Sequence, residues 1–90
     1  MAIKCIIVDD EQSARDILEN LIVNFCEGIE IVAKCSELQM GIEAIKKHQP
    51  DVVFLDIEMP NYAGYEIVNF FDEINFEIVF ATAYDKYALK

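Results

Sequence analysis

The sequence predicts an α/β fold in which helices cover both faces of a mainly parallel sheet. Short apolar runs rich in β-branched residues alternate with segments whose apolar residues recur every three or four positions. This alternation is typical of parallel strands joined by crossover helices. The length of 90 residues suits one domain. We therefore expect a single domain of four strand and helix repeats, the last of them cut short.

Four segments have the composition of β-strands. The runs at 3–8 (IKCIIV) and 52–55 (VVFL) are almost entirely apolar, as are strands that are buried on both faces. Residues 29–35 (IEIVAKC) alternate more loosely, which indicates an edge strand with one face in water. The fourth strand is predicted over residues 77–81 (EIVFA), and Thr82 follows it in a turn.

The first helix is predicted from an apolar stripe with helical spacing after the acidic segment 9–11. The stripe comprises Ala14, Ile17, Leu18, Leu21, Ile22 and Phe25. Most of the intervening positions are polar and are left to solvent, and we expect apolar surface beside this helix to lack a cover. Gly28 is expected to stop the helix.

The second helix has clear start and stop signals. Residues 36–39 (SELQ) have the form of a capping box. Basic residues at 46–48 (KKH) would meet the negative end of the helix, and Pro50 would end it. A third, less regular helix is predicted at about 65–71, after a loop at 57–61.

The composition excludes several classes of protein. Acidic residues number 17 and basic residues 7, so the formal net charge is −10, which disfavours binding to nucleic acid or to anionic membranes. A hydrophobic content of 54% argues against disorder. Cys5, Cys26 and Cys35 form no metal-binding pair and no disulfide framework, and we interpret them as reduced thiols. The apolar segment before Asp9 is too short for a signal peptide or a membrane span, so the sequence predicts a cytoplasmic protein.

Acidic residues follow two of the predicted strands. Asp9 and Asp10 come after the first strand and Asp56 after the third, while Thr82 follows the fourth. Ligands of parallel sheets bind beyond the carboxyl ends of the strands, so these groups would share one crevice if the first and third strands are neighbours. Clustered carboxylates repel one another, and either a raised pKa or a bound cation relieves the repulsion. At pH 7 we favour the cation. An all-oxygen set of ligands favours Mg²⁺ or Mn²⁺ over zinc.

Such a site suits phosphoryl chemistry, because a carboxylate can attack phosphorus once a metal ion neutralises both reactants. Asp56 is the candidate nucleophile since it closes a rigid apolar strand, whereas Asp9 and Asp10 begin a loop suited to wrapping an ion. Segment 9–11 also has a plainer interpretation, because acidic residues are favoured at a helix N-terminus by the helix dipole. The convergence with Asp56 and Thr82 favours a site.

Three motifs together resemble the receiver domain of two-component response regulators. They are VDDE at 8–11, FLDIEMP at 54–60 with Gly64 after it, and FATA at 80–83. The FLDIEMPN and ATAYDKYALK segments are similar to receivers attached to LytTR-type DNA-binding domains. The resemblance implies a flavodoxin-like sheet of order 2-1-3-4-5. Because the family's fifth strand and last helix are missing from this chain, we expect the order 2-1-3-4 in one C-terminally truncated domain over residues 1–90.

The resemblance also implies roles for individual residues. Asp56 would accept a phosphoryl group from the phosphohistidine of a sensor histidine kinase. Thr82 would donate a hydrogen bond to that group, and the small Ala83 would leave the site open to the donor. The family's lysine on the fifth strand, which pairs with the phosphoryl group, has no counterpart here.

The metal ligands implied by the resemblance come from the strand ends. Asp10 would bind Mg²⁺ directly and Asp9 through water. The carboxylate of Asp56 and the backbone carbonyl of Glu58 would complete the protein's share of the ligands.

The leading hypothesis is therefore a Mg²⁺-dependent receiver that signals by a conformational or dimerisation change and has no enzymatic activity beyond its own phosphorylation and dephosphorylation. One alternative is an interaction module that is never phosphorylated. Another is a Mg²⁺-dependent phosphohydrolase with an aspartate nucleophile, although Glu58 stands where that class has its second aspartate. Because the fourth strand would form an exposed edge, we also expect a homodimer or other self-association. DNA would be reached only through an output domain.

Overall fold

The computed structural model describes residues 2–59 and 62–80. The elements are, in chain order, β1 (Ile3–Val8), α1 (Gln12–Phe25), β2 (Ile29–Cys35), α2 (Leu38–His48), β3 (Val52–Leu55), β4 (Glu58–Met59), β5 (Tyr62–Ala63), a 3-10 helix η1 (Gly64–Phe70) and β6 (Glu77–Phe80). The predicted residues Thr82 and Ala83 lie outside the described part of the chain.

Four parallel strands form the main sheet in the order β2-β1-β3-β6. β1 lies between β2 and β3, and β3 pairs in turn with β6. Since β6 is the fourth strand of the sequence-based prediction, the predicted order 2-1-3-4 is confirmed. β4 and β5 form a separate antiparallel pair, and β4 lies within the segment 57–61 that we predicted as loop.

One face of the sheet carries the larger core. There β1 and β3 pack against α2 and η1, and the buried members are Ile6, Val8, Cys35, Leu38, Ile42, Ile45, Val53, Leu55 and Ile67. The opposite face is covered by α1 and buries a smaller cluster of Cys5, Ile7 and Ile22. The two faces therefore differ in how firmly they are packed.

α2 approaches β1 closely at Gly41. A Cβ atom on Gly41 would lie 2.8 Å from Cγ2 and 3.3 Å from Cγ1 of Val8. Val8 is fully buried, and its branched side chain has little rotational freedom. The missing side chain at Gly41 thus lets α2 pack directly on the end of β1, next to Asp9.

The apolar stripe predicted for α1 is only partly buried. Ile22 is buried and Leu18 packs at the edge of the small core, but Ile17, Leu21 and Phe25 expose 62%, 50% and 80% of their surfaces. The sheet covers one side of α1, and no described element covers the side that carries the other three residues.

The predicted capping box of α2 is also wrong. The N-cap residue is Glu37 and makes no side-chain capping bond, while Oγ of Ser36 donates to Sδ of Met40 at 3.4 Å. The predicted end is confirmed, because the last turn contains the basic segment 46–48 and Gln49 turns into the left-handed region (φ 48°) before Pro50.

The third predicted helix forms as a 3-10 helix that begins at Gly64 and ends at Phe70. Its sequence contains the β-branched pair Ile67 and Val68 followed by Asn69, all weak helix formers. Ile67 alone among its residues 66–70 is fully buried, so one anchor holds a short and tightly wound segment.

We predict that Gly41→Ala destabilises the protein, although alanine is normally the better helix former. The added methyl group would press on Val8, and overpacking of this kind costs about 1–3 kcal/mol. Urea unfolding measures the change. Glu43→Ala on the exposed face of α2 is the control and should cost far less.

The double variant Gly41→Ala with Val8→Ala tests the cause. Removing the Val8 methyl groups makes room, so the two losses should be clearly less than additive. Additive losses would show that the contact with Val8 is not the origin of the effect.

Candidate functional site

Asp9 and Asp56 lie side by side at the carboxyl edge of the sheet. Asp56 donates its backbone N–H to the carbonyl oxygen of Val8 at 3.0 Å, and Asp9 donates its own to the carbonyl oxygen of Cys35 at 3.0 Å. Both bonds continue the pairing of β1 with its neighbours by one residue. Both residues are buried: Asp9 exposes 6% of its surface and Asp56 exposes 1%.

Three hydrogen bonds fix the loop at 9–11. Oδ1 of Asp9 accepts from the backbone N–H of Glu11 at 2.9 Å. Nη1 of Arg15 donates to the carbonyl oxygen of Asp9 at 2.7 Å, and the backbone N–H of Arg15 donates to the carbonyl oxygen of Glu11 at 3.1 Å. Asp9 thus satisfies the backbone donor of Glu11, the N-cap residue of α1.

A group of three carboxylates forms at this loop. One oxygen each of Asp9, Asp10 and Glu11 lies within 4.8 Å of the other two. We had predicted a group of Asp9, Asp10 and Asp56. The backbone of Asp56 adjoins β1, but its carboxylate is not in this group. Glu11 was not predicted as a member, because we had explained an acidic residue at this position by the helix dipole alone.

The electrostatics of the group favour a bound cation. Two unit negative charges 4.8 Å apart repel by about 1 kcal/mol even at the dielectric constant of water. In addition, Oδ1 of Asp10 is buried and accepts no hydrogen bond from the described residues. Clustered carboxylates with an unsatisfied buried oxygen fit a hard, oxygen-binding cation such as Mg²⁺.

The remaining predicted residues are less fully placed. Glu58 begins β4 two residues after Asp56, and its backbone pairs with Ala63. Thr82 and Ala83 lie outside the described residues, so their predicted roles rest on the sequence motif.

The cysteines have no place in this chemistry. All three are free, and only Cys26 is exposed. Burial, and to a lesser degree the neighbouring Cys26, raises the pKa of Cys5 to about 11. Burial also raises the pKa of Cys35, although the Arg15 guanidinium partly lowers it. The two buried thiols are therefore protonated at neutral pH and are weak nucleophiles.

The described helices are too short or too polar to cross a membrane.

The sequence matches a known family along most of its length. The profile described as "Response regulator receiver domain" matches residues 5–90. The transcriptional regulatory protein BtsR of Escherichia coli strain K12 is 52% identical over 91 residues, which cover 98% of this chain and 37% of that protein. The sensory transduction protein LytT of Bacillus anthracis is 41% identical over 90 residues, covering 98% of this chain and 36% of that protein.

The fold matches as well. The response regulator domain of Thermotoga maritima CheB has a TM-score of 0.81 at 22% identity, over 98% of this chain and 66% of that chain. This likeness supports the flavodoxin-like receiver fold. The chain spans little more than a third of the length of the curated relatives named above.

The chain therefore belongs to the response regulator receiver domain family. Within that family it is the receiver domain of a two-component response regulator, similar to part of the transcriptional regulatory protein BtsR and to part of the sensory transduction protein LytT.

We predict that only Cys26 reacts quickly with a thiol reagent in the folded protein. With a pKa of about 11, Cys5 carries a thiolate in only about one molecule in a thousand at pH 8. Titration with a chromogenic disulfide reagent should show one fast thiol before denaturation and all three after it. Cys26→Ser should remove the fast phase, and fast labelling that persists in this variant would contradict the burial of the others.

Proposed function

We propose that this receiver accepts a phosphoryl group on Asp56, with Mg²⁺ or Mn²⁺ bound at the adjacent acidic loop. The observation that carries the proposal is the placement of Asp56 beside Val8 and Asp9, at the end of a strand held in the middle of the described sheet. Such a residue presents its carboxylate from a rigid backbone, which is what an in-line attack on phosphorus requires.

The hydrogen bonds of the loop support separate roles for Asp9 and Asp10. Oδ1 of Asp9 is engaged by the N–H of Glu11, so Asp9 serves the loop. Asp10 has the buried oxygen without a hydrogen bond, which suits direct coordination of a cation. This division of labour agrees with the roles that the family resemblance implies.

In this proposal Asp10 would bind the cation directly and Asp9 through water, and the Asp56 carboxylate and the Glu58 carbonyl would be further ligands. The bound cation lowers the repulsion between the anionic phosphoryl group and the carboxylates. A carboxylate oxygen of Asp56 forms a bond to phosphorus while the bond between phosphorus and the imidazole nitrogen of the donor histidine breaks. The released imidazole takes a proton from solvent, and an acyl phosphate remains on Asp56.

Thr82 and Ala83 complete the proposal. We infer that the hydroxyl of Thr82 donates to the transferred phosphoryl group and that the small side chain of Ala83 leaves room for the donor. The phosphoryl donor would be a sensor histidine kinase. No separate enzymatic activity is proposed.

Output to DNA belongs to a longer protein in this proposal. The curated relatives named as regulators are much longer than this chain, and a net charge of −10 disfavours direct contact with nucleic acid. The single receiver-like domain at 1–90 would thus signal to an output domain that binds DNA in its place.

Phosphorylation is tested by treating the chain with acetyl phosphate and measuring the intact mass. We expect the mass of one phosphoryl group to be added when Mg²⁺ is present and not when it is chelated, because the carboxylates repel the donor without a cation. Asp56→Asn should lose the adduct. Asp51→Asn, at the opposite end of β3, is the matched control and should keep it.

Other outcomes identify other functions. Rapid turnover of phosphoesters by the parent chain would indicate a phosphohydrolase, and a folded protein that forms no adduct would indicate an interaction module. The exposed apolar residues of α1 and β6 give the interaction module a specific basis, since Leu21, Val79 and Phe80 each expose between 44% and 50% of their surfaces.

We further propose that the chain self-associates through the exposed apolar side of α1, which carries Ile17, Leu21 and Phe25. Burial of such side chains between copies would be favourable, and β6 forms the edge of the described sheet. Sedimentation velocity should show a concentration-dependent shift that Leu21→Glu weakens. Asn20→Glu adds the same charge at a polar neighbour and should have little effect. A monomer at all concentrations would exclude self-association.

A further inference from the structure

Arg15 reaches back from the first turn of α1 onto the acidic loop. Nη1 of Arg15 lies 2.7 Å from the carbonyl oxygen of Asp9. This distance is short for a hydrogen bond from nitrogen and is typical of a charged donor. Arg15 is partly buried there, so the bond is shielded from competing water.

We propose that Arg15 is a positioning residue that presets the Asp10 carboxylate for the divalent cation. The inference rests on the proposed function, because it assigns Arg15 a role at the same metal site. Arg15 itself would not touch the cation.

Arg15 holds the peptide group that links Asp9 to Asp10. The carbonyl of Asp9 belongs to the peptide plane shared with the N–H of Asp10, so a hydrogen bond to this oxygen fixes the direction in which the chain enters Asp10. The other anchors of the loop act on Asp9 and Glu11, through Asp9 N–H to Cys35 and Asp9 Oδ1 to Glu11 N–H. Among the described contacts, Arg15 is thus the side chain that restrains the peptide group between Asp9 and Asp10.

The unsatisfied atom of the site belongs to Asp10. Its buried Oδ1 accepts no hydrogen bond from the described residues, so nothing described within the protein orients this oxygen directly. A carboxylate of this kind depends on its backbone for orientation. By holding this peptide, Arg15 can fix the orientation of the Asp10 carboxylate before the cation binds.

The charge of Arg15 has an opposite effect that makes the proposal testable. A guanidinium beside a cation site repels the cation, so an Arg15 that acted only through its charge would weaken binding. Positioning would strengthen it, since residues that orient metal ligands typically contribute roughly tenfold or more to metal affinity. The two roles therefore predict changes of opposite sign in the affinity for the cation when the Arg15 guanidinium is removed.

The experiment measures the dissociation constant of Mn²⁺ for the whole chain by electron paramagnetic resonance of the free ion, and of Mg²⁺ by competition. Arg15→Met keeps the apolar stem and removes the donor, and we expect it to weaken binding roughly tenfold. Arg15→Lys keeps a charged donor and should restore part of the loss. Lys34→Met, which removes the cation paired with Glu19 of α1 at 2.8 Å, is the control and should leave the affinity unchanged.

The outcomes separate this inference from the proposed function. If the parent chain binds no Mn²⁺, the metal site itself is wrong. If the parent binds and Arg15→Met binds equally well or more tightly, the site stands and the positioning role is overturned. Circular dichroism in chelator shows whether each variant is folded. If Arg15→Met does not fold, Arg15→Lys alone decides. Arg15→Lys keeps the charge but has a less suitable donor, so the proposal requires it to bind Mn²⁺ more weakly than the parent chain does.

Discussion

The hydrogen bond from the N–H of Asp56 to the carbonyl of Val8 is the contact on which the candidate site depends, because it continues the parallel pairing of β1 with β3 past the strand ends. Without this pairing, Asp56 would share no edge with the loop at 9–11, which lies far from it in sequence. The pairing is itself held by the larger core, where Val8 and Leu55 are fully buried in register with one another. The position of the acidic residues is thus a consequence of packing beneath them.

The two faces of the sheet make different contributions to this site. α2 packs closely on one face, where Gly41 leaves room for Val8, immediately before Asp9. α1 covers the other face lightly, with Ile22 as its single buried residue, yet it supplies Arg15 and the N-terminal turn that shape the acidic loop. Local opening requires the least free energy where few apolar contacts are lost. We therefore expect motion and association to be easiest on the α1 side, while the α2 side stays rigid.

Strand identity and order could be predicted because buried parallel strands leave a direct signature in composition, and because the VDDE and FLDIEMP motifs indicated the family. The failures share a physical cause. Ser36 has the right spacing for a cap, but spacing does not reveal that its hydroxyl turns to Met40. Ile17 and Leu21 lie at helical spacing, but periodicity does not tell which neighbours will cover them. Glu11 joins the carboxylate group through the path of the loop, which hydrogen bonds set and sequence patterns do not.

The distribution of charge gives the site an order of events. Lys4 donates to the carbonyl of His48, which places this pair of basic residues at the amino-terminal edge of the sheet, and Lys34 is paired with Glu19. Arg15 donates to the carbonyl oxygen of Asp9 in the acidic loop, where one oxygen each of three carboxylates lies within 4.8 Å of the other two. The net field there repels a phosphoryl group and attracts a divalent cation. In the proposed reaction the cation must therefore be in place before an anionic donor can approach Asp56, and the loop geometry that receives the cation has to exist in its absence.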